Sequence, residues 1–302
     1  MKSVINFMGV RRIVMGVTLA LLVVSLLSLL FKGLNYGLDF TGGSMVELSY
    51  KQAADLDKVR EQLVKAELGD AIVQSFGAST DVVVRMASDD AHLGERIAKA
   101  LQVGNVDNPV TVKRVEFVGP AVGEELRDQG GLGMLLALGG ILVYVAFRFQ
   151  WKFGCGAVLS LFHDVIIVLG VFSLFGLTFD LTVLAAVLAL IGYSLNDTIV
   201  VFDRVRENFR LLRKVELIEN INISTTQTLL RTLATSISTL LAVVALMLFG
   251  GENLWGFSLA LFIGVVAGTT SSIYVASITL IWLKLTREDL IPPPPEEADA
   301  RP

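Results

Sequence analysis

Cysteine is nearly absent from this sequence. Cys155 is the single one, which excludes an intrachain disulfide and a cysteine-based metal centre. Histidine is almost as scarce: His92 and His163 lie far apart, so no His-rich zinc or haem site is expected. Charge is thin as well. Asp, Glu, Lys and Arg make up 18% of the 302 residues, against about 25% in ordinary soluble domains. The net charge of −4 gives no general attraction for nucleic acid. There is no Gly-Lys dipeptide and hence no P-loop. A G-x-S-x-G nucleophile elbow and an H-E-x-x-H zinc motif are missing too. The chain is therefore expected to be no enzyme and to hold no cofactor and no metal.

What it has in excess is apolar residues, 53% of the total, and they come in long runs. A bilayer core of about 30 Å needs roughly 20 apolar residues in a helix. Six stretches meet or approach that length: 13–31, 131–147, 153–177, 181–202, 229–250 and 255–283. A polar segment, 32–130, separates the first from the second. The first run follows Lys2, Arg11 and Arg12 and so resembles a signal peptide. It is long for one, however, and ends in Leu29-Leu30-Phe31-Lys32 with no small-residue cleavage site. It reads as an uncleaved anchor. After the last run, the proline stretch 292–295 and an acidic end suggest that 284–302 is a disordered tail.

Lysine and arginine near the span ends set the orientation. Positive residues flank the amino end (1–12), the second-to-third loop (Arg148, Lys152), the fourth-to-fifth loop (Arg204, Arg206, Arg210, Arg213, Lys214) and the carboxyl end (Lys284, Arg287). The loops at 178–180 and 251–254 have none. Both termini are thus expected in the cytoplasm, and the 32–130 segment outside. The stretch 203–222 sets Val205, Phe209, Leu212 and Val215 against Arg206, Arg210, Arg213 and Lys214. It reads either as a basic amphipathic helix at the cytoplasmic surface or as a solvated linker with an apolar stripe.

The outer segment has a readable order. Strands are expected at 44–50, 71–78, 81–86 and 110–118, and helices at 55–68 and 89–103, from periodicity. The order βαββαβ is that of an α+β ferredoxin-like module, a fold that fixes no function. The predicted fold class is a polytopic α-helical membrane protein: helix 13–31, the 32–130 domain, and a five-helix remainder over 131–283.

Charged groups inside the apolar runs cost about 2.5–3.5 kcal/mol or more at mid-depth, so they are where function is sought. His163 and Asp164 fall in the third run, Asn196 and Asp197 in the fourth, and Arg231 in the fifth. Ser224-Thr-Thr-Gln227 fits a capping box, which starts the fifth helix near Thr225. Asp197 and Arg231 then fall at similar depth on antiparallel helices, where pairing lowers the cost of both. Thr228, Arg231, Thr235, Ser238 or Thr239, and Ala242 share one face. Thr269-Thr-Ser-Ser272 adds a polar patch beside Gly264 and Gly268. Two readings stand: a proton path, or an ion pair that fixes helix register. For His163 and Asp164 the alternative is a histidine that only satisfies its neighbour. An aspartyl dyad of Asp164 and Asp197 needs equal depth, and the sequence separates them by most of two turns.

Several segments resemble one family. Leu34-Asn-Tyr-Gly-Leu-Asp-Phe-Thr-Gly-Gly43 is similar to the signature of the SecD/SecF protein-export family. Val118-Gly-Pro-Ala-Val-Gly-Glu-Glu-Leu126 resembles its second box. His163-Asp164, the run Gly192–Asn208 and the run Gln227–Ser236 resemble the SecF rather than the SecD version. The resemblance implies an RND-superfamily half-transporter in the bacterial inner membrane. Its implied partners are SecD, which supplies another six helices, the SecYEG channel with its small membrane subunits, and the preprotein. The implied work is proton-driven preprotein export. Asp197 and Arg231 fall on the family's proton-pathway positions, with Asn196, Asp164 and His163 as further candidates. Gly37, Asp39, Phe40, Thr41, Gly42 and Gly43 form the signature at the exit of the first helix, read as a hinge or as a tight turn with a capping aspartate. An exporter of lipids or small molecules and a non-transporting translocon scaffold are the competing readings. A complete exporter would need twelve helices and two outer domains.

With Cys155 replaced, a cysteine at position 80 or 251 is expected to react with an impermeant thiol reagent from outside. A cysteine at 213 should react only once the inner face is opened. Outside labelling at 213 would overturn the orientation.

Overall fold

The structure is a computed structural model that describes residues 4–76, 78–88, 90, 92–103, 108–212 and 215–290. In chain order the elements are α1 (Arg11–Phe31), β1 (Asn35–Tyr36), α2 (Leu38–Thr41), β2 (Gly43–Tyr50), α3 (Leu56–Lys65), β3 (Ile72–Phe76), β4 (Ala78–Met86), α4 (Leu93–Val103), β5 (Val110–Val118), α5 (Pro120–Arg148), α6 (Trp151–Phe175), β6 (Thr178–Phe179), α7 (Leu181–Leu211), α8 (Leu217–Phe249), α9 (Glu252–Ile273) and α10 (Val275–Trp282). They divide into two units. A helical unit takes the chain up to Asn35, Met134–Leu177 and the chain from Thr182; a sheet unit takes Tyr36–Gly133 and Thr178–Leu181.

In the sheet unit the strands lie in the order β3-β4-β2-β5, with every neighbouring pair antiparallel. Alternation along β2 sends Val46, Leu48 and Tyr50 to one face and Met45, Glu47 and Ser49 to the other. The first set packs with Val59 and Leu63 of α3, Leu93, Ile97 and Leu101 of α4, and Val82 and Val84 of β4. Asp55 starts α3 by accepting from the backbone N–H groups of Asp57 and Lys58. The expected helix from 89 begins at Leu93; Asp89 and Ala91 lie outside the described residues, as does Gly77 of the expected second strand.

Among the described residues six helices are long and apolar enough to cross a membrane, α9 and α10 together counting as one. The interior is built from α6, α7 and α9–α10, each about half buried, whereas only 6% of the apolar stretch of α5 is covered. At one end Phe153 meets Phe202 with ring centroids 5.1 Å apart, and Phe149 lies 6.0 Å from Phe202. Arg148 and Arg206 both lie over the Phe149 ring and both bond Asp203, at 2.7 and 2.6 Å. Along α1 and α6, Ser28 and Ser173 share a hydrogen bond of 2.8 Å.

Several boundaries differ from expectation. Helix α5 starts at Pro120, not near 131, because proline at a first helical position gives up no hydrogen bond. Segment 203–222 is no separate surface helix: α7 runs unbroken to Leu211 and α8 begins at Leu217. Arg213 and Lys214 lie outside the described residues. The capping box at 224–227 is inside α8. Its Ser224 hydroxyl is occupied by Asn208 at 2.8 Å and Asn220 at 3.0 Å, so it caps nothing. Of the expected disordered tail, 284–290 is packed against the helical unit. Lys152 bonds Asp289 at 2.6 Å and Leu290 joins the helical core, while 291–302 and residues 1–3 lie outside the described residues. Before α1, Phe7–Val10 forms a 3₁₀ turn, and the buried Met8 gives its N–H to Asn222 at 2.9 Å.

A fragment of residues 36–120 is expected to unfold cooperatively, and Ile97→Ala, at a fully buried position, should cost it about 2–5 kcal/mol. A non-cooperative melt would mean that the sheet unit is no independent domain. Partial burial pushes the Asp81 carboxyl up, but Ser49, Lys113 and Thr80 outweigh it and hold the group below its ordinary value. Its contribution is therefore present above the ordinary carboxylate range and is lost as pH falls through the lowered value. Asp81→Asn should flatten the acid limb of the stability–pH curve.

Candidate functional site

Three helices of the helical unit converge on Asp164 of α6, whose side chain is fully buried. Its Oδ2 accepts from the hydroxyls of Ser194 on α7 and of Ser271 on α9, the latter at 2.8 Å. Oδ1 lies 2.9 Å from Nδ1 of His163. With Asp164 ionised, Nδ1 is the donor. Ser160, one turn before Asp164, donates to Ser271 at 2.9 Å. Gly268 makes the approach of α9 possible: a Cβ there would lie 3.3 Å from Ser194 and 3.4 Å from Asp164. The far nitrogen of His163, Nε2, is buried with no partner among the described residues.

One turn beyond Ser194 on the same helix is Asp197, 2% exposed, with Oδ2 buried and unpartnered among the described residues. Helices α7 and α8 run antiparallel. Arg204 bonds Gln227 at 2.5 Å toward one end, and Tyr193 bonds Ser236 at 3.0 Å toward the other. Between these bonds Asp197 and Thr198 stand level with Arg231 and Thr232. Among the described residues no group, Arg231 included, bonds the Asp197 Oδ2, and the Thr235 hydroxyl donates to the carbonyls of Arg231 and Thr232. The Arg231 side chain is exposed. Thr198, Thr225 and Thr232 hold buried hydroxyls without partners among the described residues. Ser236 continues the polar track to Thr269 of α9 at 2.7 Å.

The structure thus brings together Asp164, His163 and, one turn along α7, Asp197. Since Asp164 bonds Ser194, the two aspartates differ by about one turn of rise, not most of two. Asn196 is exposed and does not join them. Residues the sequence reading passed over are Ser160, Ser194, Tyr193, Thr198 and Ser236. Ser194 was the findable one, since it lies three residues before Asp197 and so on its face.

From Gly37 to Gly43 the signature belongs to the sheet unit. Gly37 precedes α2, a single turn over Leu38–Thr41, and the Thr41 hydroxyl returns to the Gly37 carbonyl at 3.1 Å. Gly42 and Gly43 have φ of +65° and +112°, which L side chains resist. A Cβ on Gly42 would lie 2.7 Å from Pro120, and one on Gly43 2.4 Å from the Met86 carbonyl. Asp39 caps a turn, though not its own: it accepts from Leu181 N–H at 3.0 Å.

Comparison with known proteins fits these features. The family model described as protein export membrane protein SecD/SecF, C-terminal, matches residues 98–286, and the SecD/SecF GG motif matches 27–54. The chain is 68% identical to the protein translocase subunit SecF of Pseudomonas aeruginosa, covering 99% of this chain and 98% of that one. It is 46% identical to its namesake from Vibrio alginolyticus, covering 99% and 96%. It is also similar to the crystal structure of SecDF, a translocon-associated membrane protein from Thermus thermophilus, with TM-score 0.84 and 40% identity over 94% of this chain. A super-membrane-facing form of SecDF gives TM-score 0.69. This chain spans 39% of the length of those solved chains.

Asp164→Ala strips the acceptor from His163, Ser194 and Ser271 and is expected to cost about 2–4 kcal/mol, against about 1 kcal/mol for Ser271→Ala. Thermal unfolding of the detergent-purified protein measures both. Equal midpoints for Asp164→Ala and the parent would show that the carboxylate does not pin the three helices.

Proposed function

The chain belongs to the SecD/SecF family of protein export membrane proteins, and on that premise we propose that it is one half of a proton-driven export motor. It joins SecD, which supplies the other six helices, and acts beside the SecYEG channel on preproteins emerging from the inner membrane. In this reading both termini are cytoplasmic, and the sheet unit is a periplasmic ferredoxin-like domain. The strand order β3-β4-β2-β5 with helices α3 and α4 supports that fold.

The observation that carries the proton reading is Asp197. A buried carboxylate with one oxygen unpartnered, in a helix of membrane-spanning length, is costly unless it binds a proton or a cation. Arg231 stands level with it, near enough to stabilise the charged form but not locked to it. Charged, Asp197 draws the guanidinium; protonated, it releases it, and α7 and α8 are free to repack. One charge crossing 100 mV supplies about 2.3 kcal/mol, enough to bias a two-state element. The exposed Arg231 also supports a second half, because an arginine on a spanning helix needs a protein surface or water to cover it. Asn196 faces the same requirement.

Asp164 takes the other part. Its oxygens are occupied by His163, Ser194 and Ser271, so it holds α6, α7 and α9 in place beside the titrating group. His163, with Nε2 open, is the candidate for relaying protons to that cluster.

Asp197→Asn is nearly isosteric and neutral. It should assemble with its partner yet lose gradient-stimulated preprotein export into vesicles. Arg231→Lys should retain more export than Arg231→Met, since lysine keeps the charge without the planar fork. Full gradient-stimulated export by Asp197→Asn would make the aspartate structural.

A further inference from the structure

The family signature grips a loop far away in sequence. Thr178–Leu181, between α6 and α7, belongs to the sheet unit, and five contacts hold it there. Gly37 N–H donates to the Phe179 carbonyl at 2.8 Å. The Phe40 ring stacks on Phe179, centroids 5.9 Å apart and planes 20° from parallel, while Tyr36 meets Phe179 edge-on at 6.2 Å. Arg85 of β4 donates to the Thr178 hydroxyl at 2.9 Å. Asp39 accepts from Leu181 N–H at 3.0 Å, and Leu181 is the first residue of α7.

The grip is itself backed on other sides. Gly42 lies against Pro120, and a Cβ on Gly123 would fall 2.7 Å from the Gly42 nitrogen, so the signature also seats on the first turns of α5. Gly43 lies against Met86 of β4. Burial holds the Arg85 guanidinium below its ordinary value, and the carboxylates of Asp180, Glu47, Asp39 and Glu116 offset only part of that. Helix α7, starting from this seat, continues without a proline through Asp197 to Leu211.

We propose that the Asp39 cap and the Phe40–Phe179 stack are the mechanical link of the motor: they fix the first turn of α7 to the sheet unit, so that movement of α7 on proton binding is carried into that unit. Asp39 is a positioning residue; it holds a helix end and touches neither proton nor preprotein. A helix's first N–H groups have no partner within the helix, and here the Leu181 N–H finds its acceptor in Asp39; an unkinked helix passes displacement along its axis. The inference rests on the proton reading of Asp197.

The test uses the full chain reassembled with its partner half and translocon in vesicles, reading proton uptake and gradient-stimulated preprotein export separately. Asp39→Ala and Phe40→Ala should lower export by about tenfold, in line with loss of a cap, with proton uptake unchanged and the partner still co-purifying. Asp39→Asn keeps an acceptor oxygen and should restore export. In a background with Cys155→Ser, the pair Phe40→Cys and Phe179→Cys, once oxidised, should rescue Asp39→Ala, because a rigid link stays closed throughout the cycle. Undiminished export in Asp39→Ala and Phe40→Ala would overturn the proposal. So would loss of proton uptake along with export, or a cross-link that blocks export. These outcomes separate from failure of the proton reading, which shows as full gradient-stimulated export by Asp197→Asn.

Discussion

A carboxylate inside an apolar bundle draws its hydrogen bonds from neighbouring helices, because hydrocarbon offers none and water is scarce. Asp164 meets that demand by recruiting Ser194 from α7, Ser271 from α9 and His163 from its own helix. Much of the helical unit follows from it. Helix α9 has to come close, which Gly268 permits, and a Cβ on Gly264 would run into Leu190 at 2.5 Å. Serine and threonine are frequent on these inward faces because each carries a donor small enough for close packing.

Against that saturated centre, Asp197 stands out by what it lacks. Two aspartates one turn apart in depth have opposite environments, one with both oxygens engaged and one with an oxygen open. In the proposed mechanism this contrast divides the labour between a fixed pin and a group free to change charge. Bonding at Ser194 positions α7 while the Asp197 Oδ2 one turn along stays unpartnered among the described residues.

The sheet unit solves a different problem, turning sharply from α2 into β2 while holding a second loop. Glycines at positive φ make the turn, and their missing side chains make room for Pro120 and Met86. The same compactness brings Asp39 to the start of α7. A short sequence signature thus reflects several steric demands met at one place.

Much of the plan was legible along the chain. Apolar runs of bilayer length mark the spans, since each helix must satisfy its own backbone and offer an apolar surface. The alternating residues of β2 and the helical spacing of α3 and α4 mark the sheet and its cover. Asp197 and Arg231 were visible because charge in an apolar run is costly. Their common level was inferred from helix ends that were both wrong: α7 runs past Phe202 and α8 starts before Thr225, errors in the same direction on antiparallel helices that largely cancel. What the chain alone could not reveal is pairing across distance. Ser224 looks like a cap until Asn208 and Asn220 occupy it. Asp39 looks like the cap of its own turn until Leu181, 142 residues away, claims it. Local periodicity and burial cost are properties of a segment and can be read from it; which donor meets which acceptor depends on the packing of helices and strands that only the folded chain brings together.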